Sequence, residues 1–248
     1  MNIYKGLDNL PQFTDAVATM GSFDGVHCGH QELLRRVKQI AHERAVQSIV
    51  ITFDPHPRYV LGTGEKMRLI TTLDEKLWFM ERAGIDNVIV IPFTIEFSQK
   101  SPKEFLEEIS GVGISCMVVG YNHRFGHKKE GDYNYLEARG GMELHMVEQQ
   151  QMASSKVSST IIRQAVSMGM MEKAVKLLMH PYVVLAEVGA DGSVAGVDKH
   201  KLLPAEGCYD AKIGDQTITF TIDSKGQMSI SPTVCEGKAM IEISRLND

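Results

Sequence analysis

Two histidines, His27 and His30, lie three residues apart in the glycine-rich segment GSFDGVHCGH at residues 21–30. The segment follows a short apolar run and precedes an amphipathic one, which predicts a turn between a strand and a helix. Glycines permit such a turn, and the first backbone N–H groups of a helix favour a bound phosphate. Imidazole N–H groups there could stabilise charge developing on phosphoryl oxygens. We therefore predict a phosphate-binding turn.

Two other interpretations of this histidine pair remain open. The pattern His-x-x-His could supply two zinc ligands, although no third or fourth ligand is spaced nearby. Alternatively, both imidazoles could only cap the turn and satisfy its hydrogen bonds. The surrounding glycines and the strand–helix context favour phosphate binding over either interpretation.

Three further segments have the residue types of a ligand site. TFDPHP at residues 52–57 is a stiff loop that could form the wall of a ring or ribose pocket, or simply end a strand. GYNHRFGHKKEGD at residues 120–132 concentrates positive charge, which could face a polyphosphate or only solvent. VSSTIIR at residues 157–163 offers hydroxyls that suit either an ordinary helix cap or, together with Arg163, a phosphate site.

Strands and helices alternate through most of the chain and would position these segments. Apolar, β-branched runs predict strands at residues 16–20, 48–53, 87–92, 116–120 and 143–148. Amphipathic periodicity predicts helices at residues 31–45, 74–83 and 102–109. We expect a doubly wound α/β fold with a parallel sheet, whose ligands bind at the carboxyl ends of the strands.

Short strands and turns replace this pattern after residue 181. Strand candidates lie at residues 182–188, 208–213, 217–222, 228–231 and 240–243. We therefore expect a small, barrel-like β domain to follow the α/β domain.

Composition narrows the classes of function. Of the 248 residues, 43% are hydrophobic and 23% are charged, and the net charge of -5 gives no broad basic surface for nucleic acid. The four cysteines are scattered, which is typical of a reducing, cytoplasmic compartment. No signal peptide or membrane-spanning run is visible, so we expect no membrane partner. The acidic net charge leads us to expect no nucleic-acid partner either. The oligomeric state is not determined by the sequence.

The four segments together resemble the nucleotidylyltransferase domain of the bacterial FAD synthetase family, the bifunctional riboflavin kinase/FMN adenylyltransferases. His27-Cys-Gly-His30 is similar to the HxGH signature, and neither a P-loop nor a GxGxxG fingerprint is present. The resemblance implies a Rossmann-like domain at residues 1–182. It also implies adenylyl transfer from ATP to FMN, which gives FAD and pyrophosphate.

The resemblance further implies which residues form the site. His27 and His30 would be catalytic. The residues implied in ATP binding are Gly21, Phe23, Asp24, Gly29, Asn122, Arg124, Ser158, Ser159, Thr160 and Arg163. Those implied in FMN binding are Phe53, Pro55, His56 and Pro57. Mg²⁺ would arrive with ATP, and no protein ligand for it is assigned.

The C-terminal part departs from the family pattern. The segment LLPAEGCYDAKI at residues 202–213 resembles a strand of the riboflavin kinase barrel, but the family's Gly-Phe-Pro-Thr-Ala-Asn segment is missing upstream of it. The family's later Glu-containing strand and the helix after it also have no counterpart before Asp248. We therefore expect residues 183–248 to form a reduced kinase-like domain without kinase activity. The alternatives are a bifunctional enzyme, a nucleotidylyltransferase for another phosphorylated acceptor, and a non-catalytic flavin-nucleotide binder.

Overall fold

The computed structural model describes residues 1–64, 67–148 and 157–247. Its internal contacts divide the chain into two compact units. The first, here called the α/β unit, comprises Met1–Phe23, Gly29–Met67 and Leu77–Gln150. The second, the barrel unit, comprises Asp24–Cys28, Arg68–Lys76 and Gln151–Asp248. None of the helices in the described ranges is long and apolar enough to span a membrane.

The α/β unit contains a six-stranded sheet in which all neighbouring strands are parallel. The strands are β1 (Asn2–Lys5), β2 (Ala16–Met20), β3 (Ser48–Asp54), β4 (Asn87–Pro92), β5 (Ile114–Gly120) and β6 (Glu143–Val147). Their order across the sheet is β1-β4-β3-β2-β5-β6, so the direction of winding reverses between β2 and β5. In doubly wound sheets this reversal creates a crevice at the carboxyl ends of the strands.

Helices before residue 140 connect these strands. Their bounds are α1 (Cys28–Arg44), α2 (Pro57–Val60), α3 (Leu73–Arg82), α4 (Ile95–Ser98), α5 (Pro102–Ser110) and α6 (Tyr133–Arg139). The apolar face of α1 contributes Val37 and Ile40 to one core, together with Val17 and Val118 of the sheet. Every residue of β2 is buried, because parallel strands of this kind are covered on both faces.

The barrel unit contains two helices and a closed six-stranded barrel. Its elements are α7 (Ser159–Ser167), α8 (Met171–Leu178), β7 (Tyr182–Val188), β8 (Ser193–Ala195), β9 (Gly207–Ile213), β10 (Gln216–Ile222), β11 (Met228–Ser231) and β12 (Gly237–Leu246). The strands are antiparallel and close in the order β10-β11-β8-β7-β12-β9. Its core includes the wholly buried Phe220 and Ile241 and residues of both helices.

The predicted fold class, a doubly wound parallel sheet followed by a β-barrel, is confirmed. Strand β1 was missed because its four residues are mostly exposed and show no continuous apolar run. Strand β8 has only three residues, too few for a periodic signal. Helix α1 begins three residues before the predicted start at residue 31. The assignment of domains to residues 1–182 and 183–248 stays a prediction.

Candidate active site

Three of the four segments follow neighbouring strands at the carboxyl edge of the sheet. Strand β2 ends at Met20, β3 at Asp54 and β5 at Gly120, and the three strands run in parallel. The backbone N–H of Gly21 donates to the carbonyl of Ile51 at 3.0 Å, which carries the β2–β3 pairing one residue beyond the strand. This edge lies at the β2–β5 reversal, and doubly wound folds generally bind their ligands at such an edge.

His30 lies in the first turn of α1 and packs against Phe23 in the α/β unit. Phe23 is wholly buried, and the centre of its ring lies 5.1 Å from that of the His30 imidazole. A Cβ atom on Gly21 would approach this phenyl ring to 3.3 Å, so glycine leaves room for it. The structure therefore gives Phe23 a supporting role beside His30. Gly29 lies in the same first turn of α1.

The TFDPHP segment forms the end of β3 and the start of α2. The Phe53 ring packs in an aromatic group with Phe93 and Phe97, at centroid distances of 5.6 and 6.0 Å. The His56 imidazole accepts the N–H of Arg58 at 3.2 Å and so caps α2, whose first residue is Pro57. Pro55 is exposed. Phe53, His56 and Pro57 thus have local structural roles, and contact of this segment with a flavin stays a prediction.

Arg124 and Asn122 occupy the loop after β5. The Arg124 guanidinium is paired with Asp132, whose carboxylate also accepts the N–H of Tyr135 at 2.9 Å and caps α6. This pairing offsets part of the positive charge that the sequence concentrates in the loop. Asn122 is exposed at the carboxyl edge.

His123, in the same loop, was not among the predicted site residues. Its ring stacks on Phe125 with centroids 5.7 Å apart, and its Nε2 atom is buried with no hydrogen-bond partner within the described ranges. Burial lowers the pKa of His123 to about 4, so the imidazole is neutral near pH 7.

Asp24 is the best-connected site residue of the barrel unit. Its Oδ1 atom accepts the backbone N–H groups of Ile70 at 2.9 Å and Thr71 at 3.0 Å. Its Oδ2 atom accepts a hydrogen bond from the Arg163 guanidinium, which also donates from Nε to the carbonyl of Arg68 at 2.9 Å. This buried carboxylate therefore ties the turn at residues 24–28 to two other segments of the barrel unit.

Two of the predicted phosphate-binding residues at the start of helix α7 form hydrogen bonds within the protein, and the third is exposed. Ser158 is the N-cap, and its side chain accepts the N–H of Ile161. The Ser159 hydroxyl donates to the carbonyl of Asp24 at 3.2 Å. Thr160, in the first turn, is exposed. Ser159 and Arg163 therefore both bind residue 24, a contact that the sequence did not predict.

His27 lies in the turn at residues 24–28, which also contains Asp24, and is neutral near pH 7. Burial lowers its pKa to about 4, although the nearby charge of Asp24 acts in the opposite direction. A neutral imidazole keeps one N–H group as a hydrogen-bond donor.

His180 also contacts the turn at residues 24–28 and was not among the predicted site residues. Its Nε2 atom lies 3.0 Å from the carbonyl oxygen of Gly25, and its Nδ1 atom 2.7 Å from that of Pro181. Burial lowers the His180 pKa. Because carbonyl oxygens only accept, a neutral ring donates to one of them at a time.

A possible metal-ligating cluster lies elsewhere in the α/β unit. Cys116, Glu143 and His145 have ligand atoms within 4.8 Å of one another, near the amino ends of β5 and β6. Glu143 is also paired with the cationic Arg44. The cluster includes neither His27 nor His30, so it lends no support to a zinc site at the histidine pair.

The fold and the His-x-Gly-His turn that follows β2 define an α/β nucleotidyltransferase. Residues 10–161 match the family model described as FAD synthetase. The chain belongs to the FAD synthetase family and is thus an FMN adenylyltransferase.

Curated relatives agree with this assignment, and one solved structure shares the fold. The chain is 34% identical to a bifunctional riboflavin kinase/FMN adenylyltransferase of Listeria monocytogenes, over 87% of this chain and 76% of the relative. It is 32% identical to the protein of that name from Bacillus subtilis, over 79% and 67% of the two chains. A crystal structure of a macrolide-efflux protein from Streptococcus pneumoniae has a TM-score of 0.84 at 23% identity, covering 100% of this chain and 92% of that one. At that identity the likeness shows a shared fold.

Proposed function

We propose that this protein transfers the adenylyl group of MgATP to FMN and forms FAD and pyrophosphate. The observation that carries the proposal is His27, half-buried and neutral near pH 7 in a tethered turn, within a chain of the FAD synthetase family. An oxygen of the FMN phosphate attacks the α-phosphorus of ATP. The bond from this phosphorus to the oxygen bridging the α- and β-phosphates breaks, and pyrophosphate leaves with the electron pair. Mg²⁺ is part of the ATP substrate.

The two histidines are the proposed catalytic residues. His27 donates a hydrogen bond to a phosphoryl oxygen as charge develops on it, and His30 does the same from the first turn of α1. Such donors act mainly on the transition state, because the charge they face is largest there. Gly29 contributes its backbone N–H at the start of that helix.

Binding of the triphosphate is proposed for the start of α7. Ser158, Ser159 and Thr160 would contact the β- and γ-phosphates. Arg163 would both face these phosphates and bind Asp24. The Asp24 carboxylate orders the turn at residues 24–28, which carries His27 and is here called the histidine turn. The other proposed contacts to ATP are those of Gly21, Phe23, Asn122 and Arg124. Phe53, Pro55, His56 and Pro57 would border the FMN pocket.

An assay with purified protein tests the activity. The protein is incubated with MgATP and FMN, and FAD and pyrophosphate are quantified by chromatography and a coupled assay. Equal amounts of both products are expected. Pyrophosphate release with another phosphorylated acceptor but not with FMN would instead indicate a different nucleotidyltransferase. Tight binding of FAD without turnover would indicate a non-catalytic flavin-nucleotide binder.

We also propose that residues 183–248 lack riboflavin kinase activity. Support comes from the missing Gly-Phe-Pro-Thr-Ala-Asn segment and from the short connection there, since only four residues separate β7 from β8. Incubation with riboflavin and MgATP should therefore yield no FMN. Formation of FMN at a rate comparable to FAD synthesis would show that the enzyme is bifunctional.

A reducing, cytoplasmic location is proposed from cysteine chemistry. The four cysteines form no disulfide in the part of the chain that the structure describes. Two of them, Cys28 and Cys116, are buried at separate places. Fractionation of cells that express the tagged protein tests the proposal, with recovery outside the cytoplasmic fraction as the contrary result.

A further inference from the structure

A charged pair is completely buried in the barrel unit. The Lys201 ammonium donates to Oε2 of Glu75 at 2.7 Å and to the carbonyl of Ile70 at 2.6 Å. It also lies 4.3 Å from the centre of the Tyr182 ring. The two charged side chains are 0% and 1% exposed. Desolvation offsets much of the attraction in such a pair, so its presence is weak evidence of net stabilisation.

Glu75 connects the pair to the wall of the barrel. Its Oε1 atom accepts the N–H of Leu185 in β7 at 2.9 Å, and its Oε2 atom accepts the N–H of Thr72 at 2.8 Å. Main-chain hydrogen bonds also join the segment before Glu75 to the segment that contains Lys201. The N–H of Leu69 donates to the carbonyl of His200 at 2.7 Å, and the N–H of Leu202 donates to the carbonyl of Leu69 at 2.8 Å.

The same short segment holds the histidine turn. The N–H groups of Ile70 and Thr71 donate to the carboxylate of Asp24, as described above, and the Thr71 hydroxyl accepts the N–H of Gly25 at 2.8 Å. Gly25 has φ +88°, and a Cβ atom on it would lie 3.0 Å from the Ile70 side chain. The turn and the segment therefore fit closely, in a backbone conformation that favours glycine.

We propose that the buried Lys201–Glu75 pair is a positioning device for adenylyl transfer, which fixes the segment at residues 69–75 and through it the turn that carries His27. The barrel then supports the transferase reaction by positioning the turn that carries His27, even without kinase activity. We call Lys201, Glu75, Thr71 and Asp24 the support network. Lys201 and Glu75 are its remote positioning residues. The inference rests on the proposed function, in which His27 acts on ATP.

Two variants interrupt the support network at different places. The double variant E75Q/K201M removes both buried charges, while the glutamine oxygen can still accept a backbone N–H. Thr71→Val removes only the hydroxyl that binds Gly25 and leaves the ion pair intact. Since small displacements of a positioned group can cost about 100-fold in rate, we expect kcat for FAD formation to fall at least tenfold in both variants. The KM for FMN should change less than threefold.

Phe220→Leu is the matched control. Phe220 is wholly buried in the barrel core and makes none of the polar contacts of the support network. This variant should lower the melting temperature and leave kcat within twofold of the parent. A fall in kcat equal to that of E75Q/K201M, at a matched melting temperature, would show general destabilisation and overturn the proposal.

Titration of His27 by NMR separates this inference from the proposed function. The His27 signal is identified by its loss in His27→Gln. Asp24 and His180 are the titratable groups that act on this ring, and burial keeps its pKa at about 4. A displaced turn exposes the ring to solvent, so its pKa should rise by a unit or more in Thr71→Val.

The outcomes are distinct. If the parent forms no FAD, the proposed function fails, while the His27 titration still tests positioning. If E75Q/K201M does not fold, Thr71→Val tests the same turn with an intact barrel. An unchanged kcat and an unchanged His27 pKa in folded Thr71→Val protein would overturn the proposal.

Discussion

The Asp24 carboxylate, in the histidine turn, forms an ion pair with the Arg163 guanidinium in the second turn of α7. These residues are 139 positions apart in the chain. Both belong to segments with the residue types of phosphate binding, yet in the structure they bind each other. Arg163 therefore shapes the turn that carries His27, in addition to any contact it makes with ATP.

Replacement of these two residues should show strong coupling. Asp24→Asn and Arg163→Met should each lower the free energy of unfolding by roughly 1.5–3 kcal/mol, because each removes a charged hydrogen-bond partner. The double variant should lose clearly less than the sum of the two, since its second substitution has no pair left to break. Urea denaturation of the parent, the two single variants and the double variant gives the coupling free energy of this double-mutant cycle. Additive losses would contradict a direct energetic coupling.

His30→Ala should affect turnover far more than FMN affinity. Its N–H is proposed to bind most strongly in the transition state, so kcat should fall by about 100- to 1,000-fold. Steady-state kinetics and FMN binding by fluorescence quenching measure the two effects. Cys28→Ala is the control, because Cys28, at the variable position of the His-x-Gly-His motif, is buried and is expected only to pack. This variant should keep most FAD formation. Equal losses of turnover and FMN affinity in His30→Ala would contradict a transition-state role.

His123→Phe should stabilise the protein. The substitution removes a buried Nε2 atom that lacks a partner within the described ranges and keeps a ring that can stack on Phe125. Relief of an unsatisfied polar group is worth about 1–3 kcal/mol. Thermal and urea unfolding at pH 7.5 would show the gain. A destabilised variant would mean that Nε2 has a partner, such as an ordered water, whose loss costs more.

Stability should decline as the pH falls from about 6.5 towards 4. The folded-state pKa values of His27 and His123 are about 4, below the usual value of 6.5. Between these values the unfolded chain binds more protons than the folded one, so acid favours unfolding. The loss approaches about 3 kcal/mol for each histidine below pH 4.

Melting temperatures at pH 7.5, 6.0 and 5.0 measure this decline. The slope of the melting temperature against pH should be smaller in His123→Phe than in the parent. It should be smaller again when His27→Gln is added, because each substitution removes one titrating group. Parallel slopes in all three proteins would contradict the assignment of the acid sensitivity to these histidines.

Much of the fold followed from local patterns. The strands from β2 to β5 are mainly apolar and rich in β-branched residues, and the amphipathic stripe of α1 matches a sheet covered on both faces. Short or exposed elements such as β1 and β8 lack such a signal, because pairing with neighbouring strands defines them more than their own residues do.

The candidate site was predicted less completely. The histidine turn and the loops after β3 and β5 could be placed at one sheet edge, because parallel strands end together there. The contacts of His180 and Lys201 could not be foreseen. Each contact depends on a backbone carbonyl or a buried carboxylate far away in the chain. Such distant partners produce no periodic pattern of residue types in the sequence.

The sequence by itself determined the class of chemistry, since the spacing of His27 and His30, the glycines around them and the other three segments together identify the family. Only the tertiary structure decided how the turn is held. A buried charge must find partners wherever the folded chain supplies them, so Asp24 pairs with Arg163 and Glu75 with Lys201. Both pairs lie within the barrel unit, to which the separate chain segments at residues 24–28 and 68–76 belong.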